Sequence, residues 1–538
     1  MIPFLIITFS EFKKIFLCKL HPLIYIKAML WYILLTIIGY GIYRLYYTEL
    51  YIYMRDMIKE SDAYDYINWI RFGALISIYL FVSILTVIFI KFPKKSDIID
   101  LENLNKTAIL ITCHNSEDVI KYTIEQALYT FLPEQIYIAD NNNTEEPVST
   151  DMKDICNQYK VNYLYFPVGC KGNAIKGSLN IIDNKYQYIL TLDDDTLLPT
   201  NFNPDFKYFD DEKVSSIGFG IKMKCKDTLS ERFGDFEYKL NSLRFYTQNY
   251  ITNKFIIGIA GIWKRDILHY ISHHNPTSIK SKFCGKELNI YESPYAEDSF
   301  NGLINRLLGY KQKMDINNFV ESYAPPKFYF NINDLICKSS NISGYNSLNH
   351  YAQRALRWYR SVNVRMPVEI YLLFTYNASN KSDSCLKKVW RNTVYRLTTL
   401  WNYALVYFAI FLIYNIVFLI IYKNYFLWGM LYTSLYLIGI INNIIINYYT
   451  LKNNPELQIG WDVIILYPLF TKFILICRCF GFLGAFIFHI PFNIPFLCIF
   501  SFCKKEIMCN CLFKKKGIPD TNTDEDINDT TNESYHII

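Results

Sequence analysis

The chain lacks cysteine spacing of the kind that marks disulfide frameworks or metal modules, and it lacks a strong net charge. Its fourteen cysteines are scattered, apart from a few near the C-terminus. This distribution favours a reduced, cytosol-facing domain. The net charge is only +6, and basic residues collect in short clusters such as Lys91–Lys95 and Lys514–Lys516. Such clusters beside apolar runs indicate lipid headgroups as partners and argue against nucleic acid.

Apolar residues are present in long runs. They make up 51% of the chain, yet the mean hydropathy is only +0.08, so the hydrophobicity is concentrated in segments. The first two runs approach the roughly 20 residues that span a bilayer, with buried core helices as the alternative. The last run has room for two crossings, but lysine, arginine and proline interrupt it, so part of it is expected in the membrane interface. The runs are Ala28–Tyr43, Gly73–Ile90, Leu397–Tyr422, Asn424–Leu451 and Val463–Phe502.

Lysines on either side of the first two runs set the expected orientation. Four of them, Lys13, Lys14, Lys19 and Lys27, precede the first run, and the Lys91–Lys95 cluster follows the second. The positive-inside rule therefore places the N-terminus and residues 91–395 in the cytosol, with about six crossings in all. No cleavable signal peptide is expected, because residues 1–10 lack a basic stretch.

The block between the apolar runs alternates strand-like and helix-like segments. The pattern predicts a helix over Ser116–Leu128 and four strands, and it indicates a parallel sheet with helices on both faces. Ligands of such sheets bind at the carboxyl ends of the strands, where Asn115, Asp140 and Asp193–Asp195 are expected. The predicted strands are Thr107–Thr112, Gln135–Ala139, Val161–Phe166 and Tyr188–Leu192.

Three consecutive aspartates, Asp193–Asp195, follow the fourth predicted strand. Hard carboxylate oxygens in an anionic pocket select Mg²⁺ or Mn²⁺, and one ion between Asp195 and a diphosphate would neutralise charge on a departing nucleotide. A solvated acidic turn is the alternative for the triplet taken alone. Its position after a buried strand favours the metal interpretation.

Two further residues are placed to meet a nucleotide. Lys171 lies in a glycine-containing turn before a helix, where phosphate contacts are common, although a turn lysine is more often simply solvated. Asp140 can accept a hydrogen bond from a uracil N–H, and an Asx-turn within Asp140–Asn143 is an equal alternative.

Two later motifs complete the pattern. Glu297–Asp298 can supply a base for an attacking hydroxyl, or can simply stabilise a helix N-terminus. Gln353 and Arg357 share one helix face, with Trp358 beside them, so Arg357 can grip a diphosphate while Trp358 stacks on a sugar ring. An amphipathic helix on the bilayer is the alternative for this segment.

The Asp-rich motif, the Glu-Asp motif and the Gln-x-x-Arg-Trp motif stand in an order that resembles membrane-embedded family 2 glycosyltransferases, the group of hyaluronan, chitin and cellulose synthases. The resemblance covers about residues 105–365. Segments such as Cys113–Ile120 and Trp263–Asp266 look closest to the type 2 glycosyltransferases of fungi. The resemblance implies an α/β fold. In that fold a Rossmann-like GT-A domain lies in the cytosol and is inserted between the transmembrane helices of a multi-pass membrane protein.

The implied organisation follows from that fold. Residues 1–27 are a cytosolic or interfacial N-terminus, 28–95 hold two transmembrane helices and 104–365 form the GT-A domain. Residues 366–396 are interfacial, 397–503 hold the C-terminal membrane helices and 504–538 are a partly disordered cytosolic tail, in which Cys503, Cys509 and Cys511 are candidates for S-acylation.

The resemblance also implies residue roles. Asp298 is the base and acts with Arg357, while Asp193 and Asp195 bind Mg²⁺ or Mn²⁺. The donor-binding residues are Asn115, Glu117, Asp140, Lys171, Asp193, Asp194 and Gln353. The acceptor-binding residues are Gly258, Gly261, Trp263, Glu297 and Trp358.

Three functions remain open at this point. The first is a processive polysaccharide synthase that uses a UDP-sugar donor and a glycan acceptor, inverts the anomeric carbon and moves its product across the plasma membrane, or across Golgi or other secretory membranes. The second is single-sugar transfer to a membrane lipid, as in ceramide glucosyltransferases. The third is a non-catalytic membrane transporter or scaffold. The identity of the sugar is not predicted.

Overall fold

The computed structural model describes seventeen stretches of the chain. All structural statements below concern these residues, which are 99–114, 116–142, 144–147, 149–167, 171–224, 226–252, 259–273, 279–280, 287–288, 297–323, 369, 372–374, 376–379, 383–399, 433, 436–448 and 458–470.

Strands and helices alternate through the first half of this region. The strands are β1 Thr107–Cys113, β2 Ile136–Asn141, β3 Asn162–Phe166, β4 Tyr188–Asp193, β5 Thr196–Leu197, β6 Val214–Met223, β7 Ala260–Lys264, β8 Ile279–Lys280, β9 Glu287–Leu288 and β10 Lys311–Ser322. The helices are α1 Leu101–Asn105, α2 Glu117–Ala127, α3 Asp151–Tyr159, α4 Lys171–Ile181, α5 Leu229–Thr252, α6 Arg265–His273 and α7 Glu297–Leu307. The four predicted strands are confirmed, each with its bounds shifted by one or two residues.

The main sheet has eight strands in the order β3-β2-β1-β4-β7-β6-β10-β5. Strands β3, β2, β1 and β4 are parallel, as predicted. The expectation of a wholly parallel sheet is wrong, because β7 runs antiparallel to both β4 and β6. β6 and β10 are again parallel, and β5 pairs antiparallel with β10. The result is a mixed sheet whose parallel half carries the predicted ligand-binding edge.

Two hydrophobic layers cover the faces of the parallel half. One buries Ile109 and Ile111 of β1 against Ile120 and Ile124 of α2. The other buries Ala108 and Leu110 of the same strand against α4, α6 and Ile304 of α7. Consecutive residues of β1 thus enter opposite layers, as expected of a strand buried on both faces. Such a strand holds its carboxyl end rigidly.

The pairing of β6 with β7 ends at Gly218, and beyond that residue helix α5 lies beside β6 in place of a strand. The backbone N–H groups of Ile221 and Met223 donate to side chains of α5, namely Ser242 Oγ and Asp235 Oδ1, each at 2.9 Å. Buried N–H groups need such partners, so side chains of a helix here replace a neighbouring strand. The other side of α5 packs against residues 458–470, including Val463 and Tyr467.

Gly220 of β6 provides the first test of this packing. It lies opposite Phe319 of β10, and a Cβ at this position would come within 2.5 Å of the Phe319 ring. We expect Gly220→Ala to lower the free energy of unfolding by about 1–3 kcal/mol through overpacking. Denaturant melts of the purified protein measure the change. Adding Phe319→Leu replaces the aromatic ring with a smaller side chain and should restore part of the lost free energy of unfolding. A double variant as unstable as Gly220→Ala would contradict the close contact between Gly220 and the Phe319 ring.

Most of the predicted membrane segments lie outside the described residues. This holds for Ala28–Tyr43 and Gly73–Ile90 entirely and for most of Leu397–Tyr422 and Val463–Phe502, whereas half of Asn424–Leu451 is described. Within the part of the chain that the structure describes, no helix is long and apolar enough to cross a membrane. Cys503, Cys509 and Cys511 also lie outside this part.

Candidate active site

The Asp193–Asp195 turn is anchored at the carboxyl end of β4. The Asp193 N–H donates to the Ile259 carbonyl at 3.0 Å, just before β7. On the other side, the hydroxyl of Thr123 in α2 donates to the Asp194 carbonyl at 2.6 Å. The three half-buried carboxylates therefore stand on a fixed backbone, which a solvated acidic turn would not have.

Asp195 is further held by the short β5–β10 pairing. Ser322 pairs with Thr196, the residue after Asp195. The hydroxyl groups of Thr196 and Ser322 lie 3.5 Å from Oδ1 and Oδ2 of Asp195, respectively. Ser322 was not predicted as a site residue, because it lies 127 positions along the chain from Asp195 and only the strand pairing brings it near.

Lys171 joins the acidic turn from the neighbouring helix. It is the first residue of α4 rather than part of the preceding turn, and its Nζ donates to Asp193 Oδ1 in a short ion pair. Both side chains are about two-thirds buried. The lysine and the positive end of the α4 dipole thus face the same carboxylate, an environment that suits a phosphate group.

The charge of this cluster is unbalanced. Burial, followed by repulsion from Asp195 and Asp193, raises the pKa of Asp194 to about 7, although the Lys171 charge acts in the opposite direction. Three carboxylates and one lysine leave an excess of negative charge that a divalent cation would neutralise. Among the described residues no group of three or more His, Cys, Asp or Glu side chains could hold a metal by itself. Mg²⁺ commonly needs only one or two carboxylates, with substrate phosphates and waters as the other ligands, so Asp193 and Asp195 fit this role.

Asp140 lies within β2, two strands from Asp193. In register, Cys113 of β1 pairs with Asp140, and Thr112 pairs with Asp193, so the two residues stand at nearly the same height along the strands, with their backbones about 10 Å apart. Asp140 is 7% exposed, and its Oδ2 accepts a hydrogen bond from the Tyr163 hydroxyl at 2.9 Å. An Asx-turn is therefore not what holds it. Burial raises the pKa of Asp140, and the Tyr163 hydrogen bond opposes this rise.

The loop after β1 is joined to the end of β2. Asn141 Nδ2 donates to the Cys113 carbonyl at 2.7 Å, and His114 Nδ1 makes a short contact with the Asn141 carbonyl. Glu117, a predicted donor-binding residue, begins α2 just beyond this loop, and its charge contributes to the raised pKa of Asp140. Asn115 lies outside the described residues.

Strand β7 separates two predicted acceptor residues from the cluster. Ala260 pairs with Leu192, Gly261 with Thr191 and Trp263 with Ile189, so the strand runs away from the aspartates. Trp263 is 3% exposed and packs in the hydrophobic layer with Ile267 and Leu268. The structure gives Trp263 a packing role and does not support contact with an acceptor. Gly261 is buried within the sheet, and Gly258 lies outside the described residues.

The remaining predicted residues are described in part or not at all. Helix α7 begins at Glu297, so Glu297 and Asp298 occupy its first turn, but their side chains lie outside the described part of the chain. The same is true of all atoms of Gln353, Arg357 and Trp358. Their roles therefore stay predictions.

An α/β fold with an acidic turn, a lysine and a second carboxylate at one sheet edge suits the binding of a nucleotide diphosphate. Residues 108–271 match the model of the family described as Glycosyl transferase family 2. The chain thus contains a family 2 glycosyltransferase domain with a GT-A-like α/β fold, and the matched region holds Asp140, Lys171 and the aspartate turn. A search of curated protein sequences finds no match.

A comparison with solved structures gives matches at low TM-scores, three of which follow. Mannosyltransferase PcManGT from Pyrobaculum calidifontis, in complex with GDP-Man and Mn²⁺, is 10% identical with a TM-score of 0.41, covering 78% of this chain and 97% of its own. TarS of S. aureus is 11% identical with a TM-score of 0.26, covering 50% and 48%. Glucosyl-3-phosphoglycerate synthase from Mycobacterium tuberculosis, in complex with Mn²⁺, UDP and glucosyl-3-phosphoglycerate, is 10% identical with a TM-score of 0.25, covering 46% and 82%. At these TM-scores the likenesses assign no donor or acceptor to this chain.

Proposed function

We propose that the protein transfers a sugar from a UDP-sugar to a growing polysaccharide at the cytosolic face of a membrane, with inversion at the anomeric carbon, and that the product is moved across that membrane. One observation carries the proposal. The Asp193–Asp195 turn, Lys171 and Asp140 meet at the carboxyl edge of the parallel strands within the family 2 domain.

The donor lies along this edge. Asp140 accepts the imino N–H of uracil, and the diphosphate extends toward Lys171 and the start of α4. Asp193 and Asp195 are the residues that would hold Mg²⁺ or Mn²⁺, and the ion would supply positive charge against the leaving diphosphate. As the diphosphate binds, Lys171 exchanges its ion pair with Asp193 for phosphate oxygens, which leaves Asp193 available as a metal ligand.

The chemistry requires a base on the acceptor side. Asp298 takes the proton of the acceptor hydroxyl while that oxygen attacks the anomeric carbon and the bond to the diphosphate oxygen breaks. In this proposal Arg357 and Gln353 stabilise the departing diphosphate and Trp358 stacks on the sugar, roles that rest on the motif because these three residues lie outside the described part of the chain. The attack is direct and in line, so no covalent intermediate with the enzyme forms.

A membrane location is supported by two exposed apolar stripes on the C-terminal helical segments. In 436–448 the stripe comprises Leu437, Ile441, Ile444 and Tyr448. In 461–470 it comprises Trp461, Ile465, Leu466 and Leu469. The spacing of three or four residues places the first set on one helix face, and in the second set Trp461, Ile465 and Leu469 recur every four residues with Leu466 beside them; apolar faces of this kind suit contact with lipid.

The test of transfer uses the purified full-length protein with a panel of radiolabelled UDP-sugars and Mn²⁺, followed by sizing of the product. We expect one UDP-sugar to give a polymer that glycan hydrolases degrade, and EDTA to stop its formation. A single-sugar lipid product would overturn the polymer and support the lipid acceptor. Transfer from no donor would overturn the enzymatic proposal and favour a non-catalytic membrane role.

The membrane location has its own test. After alkaline carbonate extraction of cell membranes, the proposal expects the protein to stay in the pellet. Release into the supernatant would show that it does not span the bilayer.

A further inference from the structure

Tyr163 is the partner that the structure gives to the Asp140 carboxylate. Its hydroxyl donates to Oδ2 at 2.9 Å, and among the described residues this is the one hydrogen bond that the carboxylate accepts. A single hydrogen bond on one oxygen fixes the rotamer of an aspartate and leaves the second oxygen for another donor.

The pairing of β2 and β3 explains how the two side chains meet. Tyr163 pairs with Ile138, and Asp140 follows two residues further along β2. Side chains at alternate positions share one face of a sheet, so Tyr163, Ile138 and Asp140 lie on the same face. The long tyrosine side chain spans one pleat and places its hydroxyl at the carboxyl edge.

The same face of β3 carries a second tyrosine with a different set of hydrogen bonds. Tyr165 pairs directly with Asp140, but its hydroxyl donates to the carbonyls of Thr144 and Glu146, at 2.6 and 2.9 Å, in the loop after β2. The strand thus supplies two tyrosines, of which only Tyr163 hydrogen-bonds the carboxylate.

The surroundings of Asp140 make this hydrogen bond important. Burial, and after it the Asp140 charge, raises the pKa of the Cys113 and Cys156 thiols, so both neighbours are neutral. Burial raises the pKa of Asp140 itself; Tyr163 and then His114 lower it, and Glu117 raises it. The titratable and charged groups that face Asp140 are therefore His114 and Cys113 of β1 and its loop, Glu117 of α2, Cys156 of α3, and Tyr163 and Tyr165 of β3.

We propose that Tyr163 is a positioning residue that holds Oδ2 of Asp140, leaves Oδ1 for the imino N–H of the donor's base, and thereby makes the site prefer uridine diphosphate over cytidine diphosphate. The inference rests on the proposed function, in which Asp140 meets the base. It adds the residue that sets the selectivity of that contact.

The selectivity follows from hydrogen-bond chemistry. Uracil presents an N–H at N3, whereas cytosine presents an unprotonated nitrogen there. An ionised carboxylate only accepts hydrogen bonds, so it pairs with uracil and opposes cytosine, while a protonated carboxyl group can donate to cytosine. Removing the Tyr163 hydroxyl removes a hydrogen bond to the ionised form, so the pKa of Asp140 rises further. Protonated Asp140 then persists to higher pH in the variant.

The experiment compares binding of UDP and CDP to the purified full-length protein by calorimetry in MnCl2 between pH 5 and pH 8. For Tyr163→Phe we expect UDP to bind about fivefold to tenfold more weakly at pH 7, as for loss of one typical intramolecular hydrogen bond. The preference for UDP over CDP should fall by a similar factor. The pH below which UDP binding is lost should be higher in the variant than in the wild type, because Asp140 becomes protonated at a higher pH. Ionisation of the diphosphate affects the variant and the wild type equally and cancels in this comparison.

Two controls isolate the role of the hydroxyl. Tyr165→Phe makes the same chemical change two residues along the same face of β3, at a hydroxyl that bonds the loop after β2 instead of Asp140, and should leave the UDP-to-CDP preference within about twofold of the wild type. In an Asp140→Ala background, Tyr163→Phe should cause no further loss of UDP binding, because the group that it positions is gone.

The outcomes separate this inference from the proposed function. If Asp140→Ala weakens UDP binding and Tyr163→Phe changes neither the preference nor the pH dependence, the positioning role is overturned and the donor site stands. An equal effect of Tyr165→Phe would also overturn it, by showing a general loss of packing. If the wild-type protein binds no UDP, the proposed donor is wrong, and this inference fails with it.

Discussion

Asp195→Asn should lower kcat/KM for sugar transfer by about 10²–10³-fold, the range found when one group that stabilises developing charge is removed. Asparagine keeps the shape of the side chain, and it can accept a hydrogen bond from one of the Thr196 and Ser322 hydroxyls and donate one to the other, since these hydroxyls lie 3.5 Å from the two carboxylate oxygens. Only the negative charge that would bind the divalent cation is lost. Initial rates measured over a range of MnCl2 concentrations test this, and the variant should require more Mn²⁺.

Asp210→Asn is the matched control for this substitution. Asp210 precedes β6, which runs parallel to β4, so it lies at the edge of the sheet opposite the aspartate turn. The activity of the Asp210→Asn variant should equal that of the wild type. Should Asp195→Asn keep more than about a tenth of wild-type activity with an unchanged Mn²⁺ requirement, Asp195 is not a metal ligand.

Asp235→Ala should produce the largest loss of stability. Lys239 is 1% exposed, and its Nζ lies 2.7 Å from Asp235 Oδ2. Removing the carboxylate leaves a buried ammonium without its counter-charge and the Met223 N–H without its acceptor. Loss of one member of a buried ion pair costs about 3–5 kcal/mol, which corresponds to a fall in Tm of about 10 °C. A thermal melt of the purified protein measures it.

A double variant separates the two losses. Asp235→Asn combined with Lys239→Met removes both charges and keeps an amide oxygen for the Met223 N–H. Because a buried ion pair can often be replaced without loss, we expect Tm to recover most of the way. Lys106→Ala, which breaks the exposed ion pair with Glu102, should leave Tm unchanged. A double variant as unstable as Asp235→Ala would mean that the buried charge is not the cause.

The parallel half of the sheet and its acidic edge could be predicted from local sequence. Continuous apolar runs such as Thr107–Cys113 identify strands buried on both faces, and the polar residues that follow them mark the carboxyl edge. This is why the aspartate turn and Asp140 lie where the sequence placed them.

The position of β7 could not be predicted in the same way. Periodicity identifies a strand but does not say between which strands it will lie or in which direction it will run. Trp263 was placed near an acceptor by motif resemblance, yet the antiparallel course of β7 carries it into the core. The burial of the Lys239–Asp235 ion pair could not be predicted either. The spacing of four residues indicates an ion pair on one helix face, but the packing of α5 against residues 458–470 is what buries it.

Contacts between distant strands escaped prediction as well. Tyr163 and Tyr165 stand two residues apart in a predicted strand and therefore share one face, but nothing local shows which of the two hydroxyls reaches Asp140. The pairing of β3 with β2, together with the contacts of Tyr165 to the loop after β2, decides it. The same holds for Ser322 and Asp195, which meet through the pairing of β5 with β10.

An experimental structure of the full-length protein with UDP and MnCl2 tests the central claim most directly. The account predicts Mn²⁺ density between the diphosphate and the carboxylates of Asp193 and Asp195, with the uracil ring against Asp140. Nucleotide and metal bound together elsewhere, with the aspartate turn still paired to Lys171, would contradict it.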